Sequence, residues 1–564
     1  MQMNEKEVLG GKESTMFIWF LLVFLAGLGL RLWRLGEMSF TLAGAQLAQG
    51  AWQMAAGDAA GLASGNISYA GLSALLFRVF EPGFFFARLF PVLFGSSLIL
   101  IPWFWRDVLG KKAAFVLAIG LAIDPILLSF SRQIVSPIFV LAGISWALTA
   151  LKIKQPVLAG SMLALAFLGG YAFWVVALVG IVAFLLWRKP GKGEIDLASF
   201  RSKTFLLPFV TGLIVSLVMI SSAFLLCTEG LGGIVAGLVE LIQIFGSKYD
   251  IPIYQPIMAA IAYSILPLFF LIWGVLEDLR KRQPIKSLPL LIGWALSVVM
   301  SLLLGRRDLG MLVFAAVFAW LGAAEGILKT FDQAKEKRGI VLAITLFQVV
   351  ILVYLQMVCG RFTTTPADSP DFRFAFLSFL AGILLLVIST ILVGMGWSSQ
   401  VGVQALKNSL LVMLIMLTLG LGFRSTGSQQ ESNSLSLLAG PVVLPNKDVE
   451  SVVNEIDREG RADKTEITYD LGNLEQHFSW FFREQVDWKR SKNVLQADLM
   501  LSEAETDFTA ADAYRGRNVV LFRQIDKQVV KPSDFLKTLL GEPLPLVSQN
   551  GVLWVRVNLF TGAN

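Results

Sequence analysis

FFFARLFPVLFGSSLILIPWFWR, residues 84–106, is followed after four residues by KKAAFVLAIGLAIDPILLSFSR, residues 111–132. Each is an apolar run of about twenty residues closed by cations, the length a helix needs to cross the hydrocarbon core of a bilayer. Two such runs joined by a short turn must cross in opposite directions. Working outward, the same pattern recurs at 16–35, 88–106, 113–130, 135–151, 156–169, 171–187, 204–226, 258–279, 288–304, 309–328, 339–359, 373–396 and 403–423. The expected fold class is therefore a polytopic α-helical membrane protein with about thirteen transmembrane helices. The stretch 156–187 is too long for one span and carries Gly169-Gly170 midway, so it is read as two short spans with a tight reversal.

The totals agree. Of 564 residues, 55% are hydrophobic and 16% charged, against roughly 25% charged in soluble domains. From Ser425 onward 15 Lys+Arg stand against 20 Asp+Glu, so that part is net −5 and the remainder is net +11, giving the total of +6. A basic membrane segment reflects cations collected in cytoplasmic loops, which makes nucleic acid an unsupported partner. With the N-terminus inside, nineteen Lys and Arg fall in inner loops and ten in outer ones. The first helix argues the other way through Arg31 and Arg34, and the later loops outvote it. The first apolar run lacks a small-residue cleavage site and reads as an uncleaved signal anchor. The expected topology is multi-pass, with the N-terminus cytoplasmic and the C-terminal domain extracytoplasmic; a plasma membrane as its location is what the resemblance given below implies.

Three divisions follow: 1–424 transmembrane, 425–446 a polar linker opening with STGSQQESNSLS, and 447–564 a small domain. In that domain Asp448–Glu459, Phe478–Glu484 and Ser533–Leu540 read as helices. Glu466–Tyr469, Val519–Phe522 and Val552–Val557 read as strands, which together predict an α/β domain. In the outer loop 37–87, Ser39–Gly57 reads as an amphipathic helix and Tyr69–Phe80 as an apolar run too short to span, both expected at the membrane interface. Cys227, Cys359 and His477 are too few for a Cys/His metal cluster. The cysteines fall at outer helix ends, where either a disulfide or two free thiols fits. There is no P-loop, dinucleotide fingerprint or Ser/His/Asp elbow, and no spacing calls for a cofactor or metal.

Some pieces are familiar. RLWRLGEMSF closes the first helix. The run 73–119 then carries Arg88, Pro91, Phe94 and Gly95, and Ser131-Arg132 ends the third apolar stretch. In that order they resemble the GT-C superfamily of membrane glycosyltransferases, the protein O-mannosyltransferase-like group (glycosyltransferase family 39), and within it the flippase activity-associated branch. Trp480-Phe-Phe-Arg483 and Leu553–Phe560 are similar to that branch's closing motifs. The resemblance implies transfer of a sugar from a polyprenyl-phosphate donor to a protein or glycan acceptor at the outer membrane face. It also implies an outer carboxylate as general base or metal holder, and cations for the phosphate leaving group. This sequence departs from the pattern: the acidic pair that follows the first helix falls on Gly44-Ala45, and the second acidic position falls within Gln133–Pro137, which holds no carboxylate.

Other outer carboxylates could take the role, namely Glu37, Asp58 and Asp124, with Glu81 and Asp308 also on that side. Interfacial solvation is the plain alternative for each. Asp124 lies inside an apolar run, where an ionisable group is costly, and either the site or an arginine partner would justify it. Arg132, Arg306 and Arg307 are the phosphate candidates, since guanidinium grips phosphate in a planar fork. Lipid headgroups are their alternative partners. Trp480 and Arg483 are read on the acceptor side, or as packing within the small domain. Three functions remain open: an active transferase, a catalytically inactive homologue serving as a partner or scaffold subunit, and a lipid or solute transporter. The membrane lipid is a partner in all three.

Overall fold

The computed structural model describes residues 2–38, 40–58, 65–187, 202–246, 252–282, 287–303, 307–331, 338–365, 368–426, 435, 442–443, 458, 467–470, 480, 499–503, 514–525, 530–540, 542 and 544–557. After α1 (Gln2–Leu32) come α2 (Leu42–Ala55), on the helix expected at 39–57, and α3 (Ile67–Val79), on the apolar run at 69–80. Next are α4 (Phe84–Ser97), which continues through a 3-10 turn to Phe104, α5 (Lys111–Ile123), α6 (Pro125–Ser131) and α7 (Ser136–Lys152). Then follow α8 (Pro156–Phe167), α9 (Tyr171–Trp187), α10 (Lys203–Ser221), α11 (Ala236–Gly246), α12 (Tyr254–Tyr263) and α13 (Ile265–Arg280). The series closes with α14 (Leu288–Leu303), α15 (Leu312–Phe331), α16 (Arg338–Thr364), α17 (Pro370–Gly396) and α18 (Ser399–Thr426).

This is a polytopic membrane protein. Every one of the thirteen expected apolar stretches falls on helix. By length and composition alone seven single helices qualify as spans, and ten do if each of three bent pairs counts as one. Thirteen is reached only by adding the shorter α7 and α14 and by counting α8 and α9 separately. Those two meet at Gly169-Gly170 with a 113° bend.

One break organises the bundle. Proline disfavours helical backbone in the residue before it, and Asp124, before Pro125, has φ −59° and ψ 124°. The helix stops there, and α5 and α6 meet at 54°. A chain broken among apolar helices leaves N–H and C=O groups that no water can reach. On the α6 side, Asp124 accepts from Leu127 N–H at 2.9 Å and from Trp320 Nε1 at 2.8 Å. On the α5 side, Arg31 donates to the carbonyls of Leu121 and Ala122 at 3.0 and 3.2 Å, and its Nε donates to Ser131 Oγ at 3.0 Å. Gly120 allows the arrangement, because a Cβ there would lie 2.1 Å from the Trp320 ring.

Two further buried arginines close chain ends in the same way. Arg132 donates to Trp33 O at 2.6 Å and Ser425 O at 3.0 Å, joining the ends of α1 and α18. Arg88 donates to Leu35 O and Met38 O at 3.1 and 2.6 Å, with its guanidinium 4.2 Å from the Phe40 ring centroid. A cation at a helix C-terminus also meets the negative end of the helix dipole. Farther along, Gln348, Thr390 and Ser409 hydrogen-bond across α16, α17 and α18, polar links of a kind found between membrane helices.

The C-terminal part is a five-stranded sheet of order β1-β4-β5-β3-β2, formed by β1 (Val442–Val443), β2 (Ile467–Asp470), β3 (Leu499–Glu503), β4 (Tyr514–Ile525) and β5 (Leu546–Arg556). The β2–β3 pair is parallel and the others antiparallel. The three strands and the final helix, α19 (Pro532–Leu540), expected from sequence are present, whereas β1 and β3 were not foreseen. The sheet begins inside the stretch read as linker, and the expected helices at 448–459 and 478–484 lie almost wholly outside the described residues. This domain sits on the rim that carries Arg31, Arg88 and Arg132. Tyr254 Oη donates to Val530 O at 2.5 Å, and Arg424 to Thr538 O at 2.8 Å. Trp480 is completely buried, its ring 5.8 Å from Phe40 and 5.6 Å from Phe77. Both cysteines are free, Cys227 buried and Cys359 half-buried.

Arg31→Met strips the α5 carbonyls of their donor and should lower stability by about 3 kcal/mol or more, read as a lower melting temperature in detergent. Arg31→Lys should restore only part, since one ammonium cannot fork across these acceptors. Trp480→Ala should weaken the docking of the C-terminal domain by about 3–5 kcal/mol, seen as faster proteolytic release of that domain with the bundle intact.

Candidate functional site

The covered rim is built where α7, α9, α11 and α15 begin or approach one another. Asp308 precedes α15 in extended backbone, and its Oδ1 accepts from Gly310 N–H at 2.7 Å. Its other oxygen accepts a close hydrogen bond from Tyr171 Oη. Tyr171 stands at the start of α9 directly after the Gly169-Gly170 reversal. Its backbone N–H faces Glu240 Oε2 at 3.5 Å. Two carboxylates therefore flank one tyrosine, Asp308 at the phenol and Glu240 at the main chain. Gly170, at φ +83°, makes this packing attainable: a Cβ there would come 2.8 Å from Gly65 O and 3.1 Å from Glu240 Oε2. Arg307, next to Asp308, is largely buried and has φ 46°.

The stretches that lack the expected carboxylates lie at this same rim. A Cβ on Gly44 would be 3.8 Å from Ile134 Cβ, and one on Gly310 would be 3.2 Å from Pro137 Cγ and 3.1 Å from Asp308 Oδ1. The start of α2, the 133–137 stretch and the Asp308 turn are thus consecutive neighbours. A carboxylate that sequence places just before the tenth apolar stretch arrives beside the segment where the resemblance expects one.

Other residues singled out from sequence have different surroundings. Glu37 is about half exposed and pairs with Arg34 at 2.6 Å. Asp58 is exposed at the end of α2, its N–H donating to Gln53 O at 2.9 Å. Asp124 is the buried cap of α6. Arg132 is wholly buried, and among the described residues no carboxylate pairs with it. The arginine partner proposed for Asp124 is not in direct contact; a tryptophan N–H takes that place. Trp480 packs against Phe40 and Phe77 of the rim. Arg306 and Arg483 lie outside the described residues. Sequence reading missed the Tyr171–Asp308 and Tyr171–Glu240 contacts. The Gly-Gly pair before Tyr171 was the available signal, and it was read only as a reversal.

Chemically, Asp308 and Glu240 can accept protons, Tyr171 can relay or donate one, and Arg307 supplies positive charge beside them. Among the described residues no group of three His, Cys, Asp or Glu side chains could hold a metal ion.

No family model matches the sequence, and no curated protein matches it. Solved structures do. The chain aligns with ArnT from Cupriavidus metallidurans bound to undecaprenyl phosphate at a TM-score of 0.54 and 14% identity, covering 97% of this chain and 99% of that one. It aligns with the apo state of the same protein at 0.51 and 12% identity, with the same coverage. ArnT has the GT-C fold. The fold is a GT-C fold. Its extent, which includes the small sheet domain, confirms the coarse expectation drawn from residues 1–150, while the protein O-mannosyltransferase-like branch receives no support from this likeness.

Within the GT-C fold, Glu37→Gln should change stability by less than about 0.5 kcal/mol, because an exposed ion pair contributes little. Thermal unfolding of the variant in detergent checks this.

Proposed function

We propose that this chain is a GT-C membrane glycosyltransferase that takes a polyprenyl-phosphate-linked sugar at the rim covered by its C-terminal domain. The single observation that carries the reading is the Arg307-Asp308 turn, held by Tyr171 next to the segment where the acidic motif is missing. The full-length likeness to a fold solved with undecaprenyl phosphate supports the choice of donor. In the proposed reaction Asp308 removes the proton from an acceptor nucleophile as it attacks the sugar's anomeric carbon. The bond to the carrier phosphate breaks with inversion, and Arg307 meets the negative charge that develops there. Arg132 is assigned to fastening α1 and α18 rather than to the donor. Arg306 and Arg483 keep their donor and acceptor roles within this proposal, as does the flippase activity-associated branch for its ancestry. The charge distribution supports a cytoplasmic N-terminus and an extracytoplasmic cap, and the family resemblance supports a plasma membrane.

A second reading rests on Gly44-Ala45 and the carboxylate-free 133–137 stretch: a homologue that binds the lipid-linked sugar without transferring it. Incubation of the purified protein with labelled undecaprenyl-phosphate sugars and a membrane extract separates the two. Wild-type transfer, with Asp308→Asn lowering it by about a hundredfold or more while donor binding persists, is the expected result. Arg307→Asn, chosen because asparagine tolerates left-handed backbone, should weaken donor binding by about tenfold. Binding without transfer by wild type would favour the second reading. Transfer unaffected by Asp308→Asn would overturn the assigned base.

A further inference from the structure

The segment that follows α10 is strained at one point and apolar on one side. Ala223, Phe224 and Leu225 succeed one another with φ of 48°, 57° and 72°. Left-handed backbone crowds the Cβ of an L-residue against the following carbonyl, so three such residues in a row persist only where their surroundings hold them. The turn is fastened at its base: Leu225 N–H donates to Ser222 Oγ at 3.1 Å and Cys227 N–H to Ser222 O at 3.0 Å. Ala223 is buried, whereas Phe224 and Leu225 project outward and are exposed. In water this conformation would be strained and would display hydrocarbon as well; in lipid the display is favourable.

Helix α11 continues the apolar surface. Val235, Leu238, Val239 and Ile242 stand at i, i+3, i+4 and i+7, one face of a helix, and Val235 is 60% and Ile242 66% exposed. The opposite face packs inward. A Cβ on Gly237 would come 2.8 Å from Gly170 Cα, and Glu240 reaches Gly65 and the Tyr171 N–H. Thr228 and Glu229 follow the turn and Gln243 follows Ile242, all of them exposed and polar. At eleven residues α11 is too short to span a bilayer, and its division into two faces suits a helix lying in the plane of the membrane interface. Its neighbours favour the same partner. Helix α11 packs on α9, and the 3-10 stretch Thr228–Val235 packs on α10, which is long and apolar enough to span. Both supporting helices expose aliphatic side chains, Leu178 on α9 and Val215 on α10. The outward face of α11 is therefore continuous with surfaces that meet lipid.

We propose that the Ala223–Leu225 turn and the outward face of α11 form an interfacial anchor whose partner is the leaflet on the side of the C-terminal domain. Its apolar side chains reach about 5–10 Å into the boundary between headgroups and acyl chains. Because α11 carries Glu240 on its inner face, the anchor fixes one of the two carboxylates beside Tyr171 relative to the bilayer surface. Insertion does not depend on the proposed transfer reaction.

The test uses the full chain in vesicles of phosphatidylethanolamine and phosphatidylglycerol, with Cys227→Ala and Cys359→Ala removing the native thiols. A nitroxide is attached in turn at Leu238→Cys, Ile242→Cys and Gln243→Cys. Its collisions with oxygen, which concentrates in hydrocarbon, are compared with those of a water-soluble nickel chelate. At 238 and 242 oxygen should exceed the chelate severalfold, and at 243, about 100° further round the helix, the ratio should fall severalfold. A second measurement leaves the sequence untouched: a phospholipid with a diazirine in its upper acyl chain is photolysed beside the wild-type chain in the same vesicles. Label should then appear on the peptides that carry Leu225 and Ile242. Chelate above oxygen at 238 and 242 would place this face in water and overturn the proposal. Few collisions with either reagent would overturn it too, because a second copy or another protein would then cover the face. Unlabelled peptides would have the same consequence.

Discussion

A peptide group inside a bilayer has no water to turn to, and each unsatisfied N–H or C=O there costs several kcal/mol. This chain breaks its helices inside the bundle at several points, so the cost has to be met by side chains. At the α5–α6 break one carboxylate serves the N–H side and one arginine serves the carbonyl side. Arg132 and Arg88 perform the same service where α1 and α18 end and where the chain turns after α1. Remove this set of donors and the ends of α1, α5 and α18 at this rim lose the contacts that hold them together. The rim on which the C-terminal domain sits is defined by these three cations.

That arrangement changes what the charged residues can do. An arginine whose two terminal nitrogens each hold a main-chain oxygen is pre-organised as a clamp on the protein itself. Asp124, fixed by a backbone N–H and a tryptophan, is the cap of α6. The chemistry proposed for the rim falls instead to the carboxylates that stand beside the carboxylate-free 133–137 stretch. Asp308 is tied by one phenol and one amide, and Glu240 faces a main-chain N–H at the limit of hydrogen-bond length. Small residues make this possible. Gly65, Gly170 and Gly237 let three segments approach more closely than any Cβ would permit.

The two rims divide the labour between cation types. The arginines that work in the covered rim are buried and bonded to carbonyls, which suits a planar, weakly hydrated fork. The opposite rim carries mostly lysines, exposed at Lys111 and Lys112 and laid half-buried over tryptophan faces at Lys152 and Lys407, which suits a flexible, strongly hydrated ammonium. Helix α17, whose apolar surface is mostly exposed, presents hydrocarbon to the bilayer throughout its length.

Sequence alone determined a good deal. Runs of about twenty apolar residues closed by charge place each helix, because burial of the backbone in lipid leaves almost no alternative to helix. The Gly169-Gly170 reversal is local, set by glycine stereochemistry; the Asp124-Pro125 break is local too, set by proline, although 113–130 reads as one uninterrupted span. The strands read at 466–469, 519–522 and 552–557 follow from apolar character, and two of them extend in the sheet to 514–525 and 546–556. Tertiary structure decided the rest. It brought Ser425 to Arg132 across 293 positions and Trp320 to Asp124 across 196, and it laid Trp480 on Phe40 and Phe77. Which arginine clamps a carbonyl and which stands beside a carboxylate depends on where distant helices end, and helix packing angles and close approaches are set by side-chain fit that no single stretch of sequence encodes.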